Sequence, residues 1–285
     1  MTPEALGGAV RRELPQLLRG RLILEPSSRD TAPAIALACA TLARREPRAT
    51  VAVLPTDQVL RGDRAFARAI ATARRAAADG RLVCLGVPPD RPATGFGYLR
   101  LAEDRTQGRP LRVASFEEKP TLARARRLVR SRRVLWNAGI FVWRVDAFLD
   151  EVARRRPAIA AGAAGAAAGR KGAWSRAPKV SVDVAILEKS ELVAAVVLGG
   201  SWADVGSWDA AARLTRGAGD ARRVLRVDSP GSAAFGDARF VALLGVPNVV
   251  VVESGGVILV AARAASERLK SLVAAIERRG RADLV

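Results

Sequence analysis

Histidine is absent from the 285-residue chain. That removes the Ser-His-Asp triad, the Cys-His dyad and any histidine-ligated zinc centre, so catalysis would fall to carboxylates, lysine, arginine or a metal. Cysteine is nearly absent too. Cys39 and Cys84 lie far apart, each inside an apolar run (IALACATL and RLVCLGV), and read as small buried hydrophobes of a reducing compartment with no disulfide. Aromatics are 5% of the chain, so an interior rich in alanine is expected. No apolar stretch reaches the roughly eighteen residues of a membrane span. The opening residues interleave Glu4, Arg11, Arg12, Glu13 and Arg19 with leucines, unlike a signal peptide. A cytoplasmic protein with no membrane partner is expected.

What is present is apolar and basic. With 49% apolar residues the chain can bury a full core and add a small appendage. Its 47 basic residues against 28 acidic ones give a net charge of +19, a balance that ordinarily points to nucleic acid. The cations are dispersed, however, and only Lys119, Lys171, Lys179, Lys189 and Lys270 are lysines. The densest group, Arg124, Arg126, Arg127, Arg130, Arg132 and Arg133, follows a helical period and reads as a solvated face. No nucleic-acid partner is expected.

Strand-like runs at 21–24, 50–54, 81–87, 134–145 and 192–197 alternate with helical periods at 32–45, 63–79 and 121–131, and another helix starts near Val145. Alternation of this kind predicts an α/β fold, a parallel sheet covered by helices. Residues 96–118 change to period two and predict antiparallel strands beside that sheet. The glycine-rich stretch 157–178 reads as a helix giving way to a loop, and SWADVGSW as a turn before a helix at 207–214. Short β runs follow, closed by a helix at 265–279, and they suit a short β-solenoid-like appendage. The expected domains are 1–216 and 217–285, with the boundary near 216–222.

Asp57, in LPTD after the TVAVL strand, would lie at the carboxyl edge of such a sheet, where these folds bind ligands. It suits a magnesium ligand, or else caps the next helix. Asp204 stands between two tryptophans in SWADVGSW, as a second ligand or as a loop aspartate satisfied by amides. Glu117, Glu118 and Lys119 end a strand at Pro120, as a solvated terminus or as a holder of sugar hydroxyls and phosphate. Asn137 is a lone amide in the apolar run LWNAGIF, and it must find partners or cost on the order of 1 to 3 kcal/mol.

Seven segments in order, EPSSRDTAPAIALA, LPTDQVL, ATGFGYL, FEEKP, LWNAGIFVW, SVDVAILEKS and SWADVGSWDA, resemble the sugar-phosphate nucleotidyltransferases, most closely their mannose-1-phosphate guanylyltransferase branch. The resemblance implies a Rossmann-like α/β fold with a mostly parallel sheet flanked by helices, GTP and mannose 1-phosphate as substrates, GDP-mannose and pyrophosphate as products, and Mg2+ as cofactor. By matching positions it implies Asp57 and Asp204 as the catalytic metal pair and Gly97, Tyr98, Glu118, Lys119, Asn137 and Asp183 on the sugar side. Glu25, Arg29, Thr31, Ala32 and Pro33 fall on the nucleotide side. The β appendage makes a homodimer an expectation. The sequence departs from the family in having Gln58 where histidine is usual, Phe96 for tyrosine, and no GGxGTRLWPLSR-type loop. That loop grips the triphosphate in the family, so the start of the reading frame is expected to lie further upstream; the alternatives are a sugar-phosphate-binding or regulatory subunit without turnover and a glucose-1-phosphate uridylyl- or thymidylyltransferase relative.

Overall fold

The computed structural model describes residues 1–16, 21–215, 223–236 and 239–284. In chain order it runs β1 (Thr2–Pro3), α1 (Gly7–Glu13), β2 (Leu24–Glu25), α2 (Thr31–Ala43), β3 (Thr50–Val53), β4 (Gln58–Arg61), α3 (Asp63–Ala78), β5 (Leu82–Val87), β6 (Tyr98–Leu101), β7 (Leu111–Glu117), α4 (Leu122–Leu128) and β8 (Val134–Arg144). It continues with α5 (Val145–Arg155), α6 (Pro157–Ala167), α7 (Val182–Ala185), β9 (Val193–Val197), β10 (Ser201–Asp204), α8 (Trp208–Leu214), β11 (Val224–Val227), β12 (Ala233–Phe235), β13 (Val241–Leu244), β14 (Val249–Ser254), β15 (Val257–Ala262) and α9 (Leu269–Arg278). Two compact units form, one of Met1–Pro55 with Gly62–Gly200, the other of Thr56–Arg61 with Ser201–Val285.

The first unit holds a six-stranded sheet in the order β3-β8-β5-β9-β7-β6, with β8 also pairing β6. Strands β3, β5, β9 and β6 run one way and β7 and β8 the other, so the α/β architecture is the expected one. Within this sheet β5 and β9 make the parallel contact, because the long antiparallel β8 separates β3 from β5. The expected antiparallel strands of 96–118 are β6 and β7. The strand expected at 21–24 is reduced to Leu24–Glu25, paired in parallel with Thr2–Pro3. Strand β5 is buried along nearly its whole length, as its LVCLGV run requires, and Cys84 within it and Cys39 in α2 are both buried free thiols. Burial pushes the Cys39 thiol up to about 12, an inert side chain. Alanines at 32 and 36 of α2 are fully buried, and Phe141, Trp143 and Phe148 stack on one another in the core.

In the second unit the SWADVGSW segment departs from expectation. Ser201–Asp204 is a strand, not a turn, and it pairs antiparallel with Gln58–Arg61. Four residues carry little periodic signal, and their pairing partner is far away in sequence. The expected boundary at 216–222 falls outside the described residues. Beyond it β11 pairs β13 and β12 pairs β14 in parallel, each with partners seventeen residues apart (Val224 with Val241, Ala233 with Val250). Ser229 and Ser232 repeat that spacing, their hydroxyls accepting the Val246 and Val249 N–H groups. One constant offset in strands and turns is the stacking of a short solenoid, with Trp208 and Phe235 packed on its small core.

Candidate active site

In the first unit β6, β7, β8 and α7 gather the residues expected on the sugar side. Strand β8 carries a bulge: Cys84 faces Phe141 but Gly86 already faces Asn137, which leaves extra residues on the β8 side. Gly139 takes a left-handed φ of 70° there, and the Asn137 Oδ1 accepts its N–H at 3.1 Å. The other end of the amide, Nδ2, donates to Asp183 Oδ1 at 2.8 Å. The lone amide in the apolar strand therefore has its partners inside the protein.

Gly97 accepts the Asn137 N–H on its carbonyl at 2.8 Å. A Cβ placed on Gly97 would stand 2.5 Å from Glu118 Oε2 and 2.9 Å from the Phe116 ring, so the Glu118 carboxylate lies against bare backbone. Lys119 Nζ is 3.5 Å from Glu118 Oε1, with 64% of its side chain exposed against 17% for Glu118. Burial, with the charge of Asp183 second, pushes the Glu118 carboxyl up to about 7. Asp183 is raised to about 6, again by burial, with its own backbone N–H and the Asn137 amide opposing. The pair are neighbouring carboxylates with one ammonium, able to accept and to donate hydrogen bonds near neutral pH. Glu117, by contrast, turns to Arg124 at 3.0 Å and forms the solvated strand end.

Tyr98 differs from its neighbours. It is fully buried, and its hydroxyl donates to the Ala93 carbonyl at 2.8 Å while accepting the Ala93 N–H at 3.1 Å. Its side chain closes the ATGFGY loop. Phe96 meets Trp136 edge-on at 5.2 Å, and the Arg91 guanidinium lies 5.0 Å above the same indole.

The five residues expected on the nucleotide side form a joint between two motifs. Glu25 is buried and accepts the Arg29 N–H at 2.8 Å. Arg29 Nη1 donates to the Ala177 carbonyl, Thr31 Oγ1 accepts the Val182 N–H, and the Ala32 N–H reaches Val180. Ala32 and Pro33 are buried in the first turn of α2, which Asp30 caps through the Thr31 N–H. These contacts stitch EPSSRDTAPA to SVDVA and thereby place Asp183.

Asp57 and Asp204 come together in the second unit. Asp204 faces Gln58 in the β4–β10 ladder, and the Asp57 carbonyl accepts the Val205 N–H at 3.0 Å. Asp57 is exposed and does not cap α3, whose N-cap is Gly62. The Asp204 carboxylate folds over the following turn, with Oδ2 3.0 Å from where a side chain on Gly206 would start. Among the described residues no cluster of three or more acidic or thiol side chains could hold a metal. Two carboxylates fit a magnesium ion that draws its remaining ligands from water and phosphates.

Glu188 was not foreseen as part of this region. Its Oε1 accepts the Glu118 N–H at 2.9 Å, a contact that the ILEKS segment does not reveal without knowing which strand end it meets.

A family model described as "Nucleotidyl transferase" matches residues 10–219. The xanthan biosynthesis protein XanB of Xanthomonas campestris (strain B100) is 35% identical, over 92% of this chain and 58% of its own length. The mannose-1-phosphate guanylyltransferase of Escherichia coli K12 is 32% identical over 95% of this chain and 61% of that protein. The chain thus spans less than two thirds of these relatives. A solved structure from Thermus thermophilus, described as a mannose-1-phosphate geranyltransferase, superposes with a TM-score of 0.84 at 30% identity, covering 97% of this chain and 83% of that one.

Proposed function

We propose, from the premise that the chain belongs to the nucleotidyl transferase family, that its substrates are mannose 1-phosphate and GTP and its products GDP-mannose and pyrophosphate. The observation that carries this reading is the group of half-buried Glu118 and Asp183 with buried Asn137, against the bare backbone of Gly97. Carboxylates held near neutral pKa suit sugar hydroxyls, which both donate and accept. Lys119, largely exposed beside Glu118, suits a phosphate as a point charge.

An oxygen of the sugar phosphate attacks the α-phosphorus of the nucleotide in line, the bond to the β-phosphate oxygen breaks, and pyrophosphate leaves. The nucleophile is already an anion, so no general base is needed, in keeping with a chain that has no histidine. The protein's tasks are alignment and charge neutralisation. Asp57 and Asp204 would hold Mg2+, which when bound neutralises charge on phosphate oxygens. Glu118 and Asn137 orient the sugar ring, Asp183 holds the Asn137 amide, and Lys119 meets the sugar phosphate.

The reading that competes with it is a sugar-phosphate-binding subunit without transfer. A substrate panel separates the two. Product chromatography after incubation with GTP, UTP or dTTP and mannose or glucose 1-phosphate is run on this chain and on a version extended upstream in frame. GDP-mannose as main product supports the proposal. A UDP- or dTDP-sugar as main product overturns the substrate assignment, and no product from either version favours the binding subunit.

A further inference from the structure

We propose that Glu188 is a positioning residue for sugar binding, acting on Glu118 through the Glu118 backbone N–H; this rests on reading Glu118 as the holder of sugar hydroxyls. Strand β7 ends at Glu117, so the N–H of Glu118 leaves the sheet ladder. Lys119 follows with a left-handed φ of 46°, costly for a residue with a side chain, and the buried Pro120 after it has no N–H to give. A turn of this kind keeps its shape only if surrounding contacts hold it. Glu188 supplies one, with Oε1 2.9 Å from the Glu118 nitrogen.

The origin of Glu188 matters as much as its contact. It sits in a one-turn 3-10 helix, Leu187–Lys189, anchored by buried Ile186 and Leu187, directly after the α7 segment that carries Asp183. One short segment thus reaches both arms of the sugar cluster: Asp183 takes the Asn137 amide and Glu188 takes the Glu118 N–H. The carboxylate of Glu118 is aimed at Gly97 by the backbone angles that this second contact holds. Releasing the N–H lets the left-handed turn relax and swings the carboxylate away from Gly97. The consequence is lost sugar affinity.

The test is calorimetric titration of mannose 1-phosphate into the full chain and into Glu188→Ala and Glu188→Gln, with thermal unfolding of each. Glutamine keeps an acceptor oxygen at the same reach. The expected result is affinity about tenfold weaker in Glu188→Ala and within about twofold of the parent in Glu188→Gln, with all three unfolding within a few degrees. Unchanged affinity in Glu188→Ala overturns the inference. So does equal loss in both variants, which would show that the accepted hydrogen bond is not the means, or a loss matched by a large drop in unfolding temperature, which would mark a fold pin. Should Glu188→Ala not fold, hydrogen exchange at the Glu118 amide decides. Equal protection in the parent and Glu188→Gln is expected, and an unprotected amide in the parent overturns the inference. Failure of the parent to bind mannose 1-phosphate sinks the underlying sugar-site reading itself, and is seen before any variant is made.

Discussion

Replacing Asn137 by leucine tests the buried amide directly. Leucine keeps the branched outline of asparagine but has neither donor nor acceptor, so the change orphans two groups: the Gly139 N–H, bonded at 3.1 Å, and Asp183 Oδ1, bonded at 2.8 Å. An orphaned buried neutral group costs about 1 to 3 kcal/mol and a charged one more, which puts the total at roughly 3 to 5 kcal/mol. For a domain of this size that is a fall of roughly 10 °C in unfolding temperature. The loss depends on pH. Asp183 titrates at about 6 in the fold against an ordinary 3.8, so its contribution to stability is full below pH 3.8 and is lost as pH rises through 6. The Asn137 amide opposes that rise by favouring the charged form. Without it the folded pKa climbs further, and the variant suffers more at pH 8 than at pH 5. Urea denaturation at the two pH values measures this. A loss below about 1 kcal/mol at pH 8, or one equal at both pH values, refutes the reasoning.

Three further outcomes follow from the same contacts. Gly97→Ala should weaken mannose 1-phosphate binding by roughly tenfold to a hundredfold, because a Cβ 2.5 Å from Glu118 Oε2 must displace the carboxylate, a charged partner worth about 1.5 to 3 kcal/mol; calorimetry reads it. Glu118→Gln should be more stable than the parent at pH 8 and nearly equal at pH 5. Glu118 is raised from 4.5 to about 7, so its stabilising contribution disappears as pH rises through 7, whereas glutamine has none to lose. After allowance for solvent screening the gain is about 1 kcal/mol, checked by denaturant titration. In the second unit Asp209 accepts from Arg263 Nε at 2.7 Å and from Arg213 Nε at 2.9 Å, and these two arginines hold its carboxyl below the usual range against its own burial. Asp209→Ala should cost about 2 kcal/mol, read as a lower midpoint for the transition reported by the Trp208 fluorescence.

The sequence made the alternating core legible because its signals are local. LVCLGV reads as a buried strand, the helix of 63–78 announces itself by its period, and that of 31–43 by Thr31 and Pro33 at its start. The expected site residues could be singled out through seven short motifs in order, but the contacts each one makes could not. Tyr98 closes a loop with its hydroxyl, and Arg29 spends a guanidinium nitrogen on Ala177. Nothing in the neighbouring residues foretells such contacts, since they depend on partners 148 positions away in the case of Arg29. The strands β4 and β10 were missed for the same reason. Four-residue segments have too little pattern to stand out, and each is stabilised by the other across more than a hundred residues. The Asn137 side chain was the informative exception. A polar group out of place in an apolar strand must be satisfied, and the partner proved to be another residue of the predicted set.

The measurement that tests the central claim most directly is pyrophosphate release from GTP and mannose 1-phosphate as magnesium is titrated, in this chain and in its Asp57→Asn and Asp204→Asn variants. Magnesium-dependent release that falls by at least a hundredfold in each variant, with mannose 1-phosphate still bound, is the predicted result. Absence of release from the parent, or release that both variants retain, would contradict it.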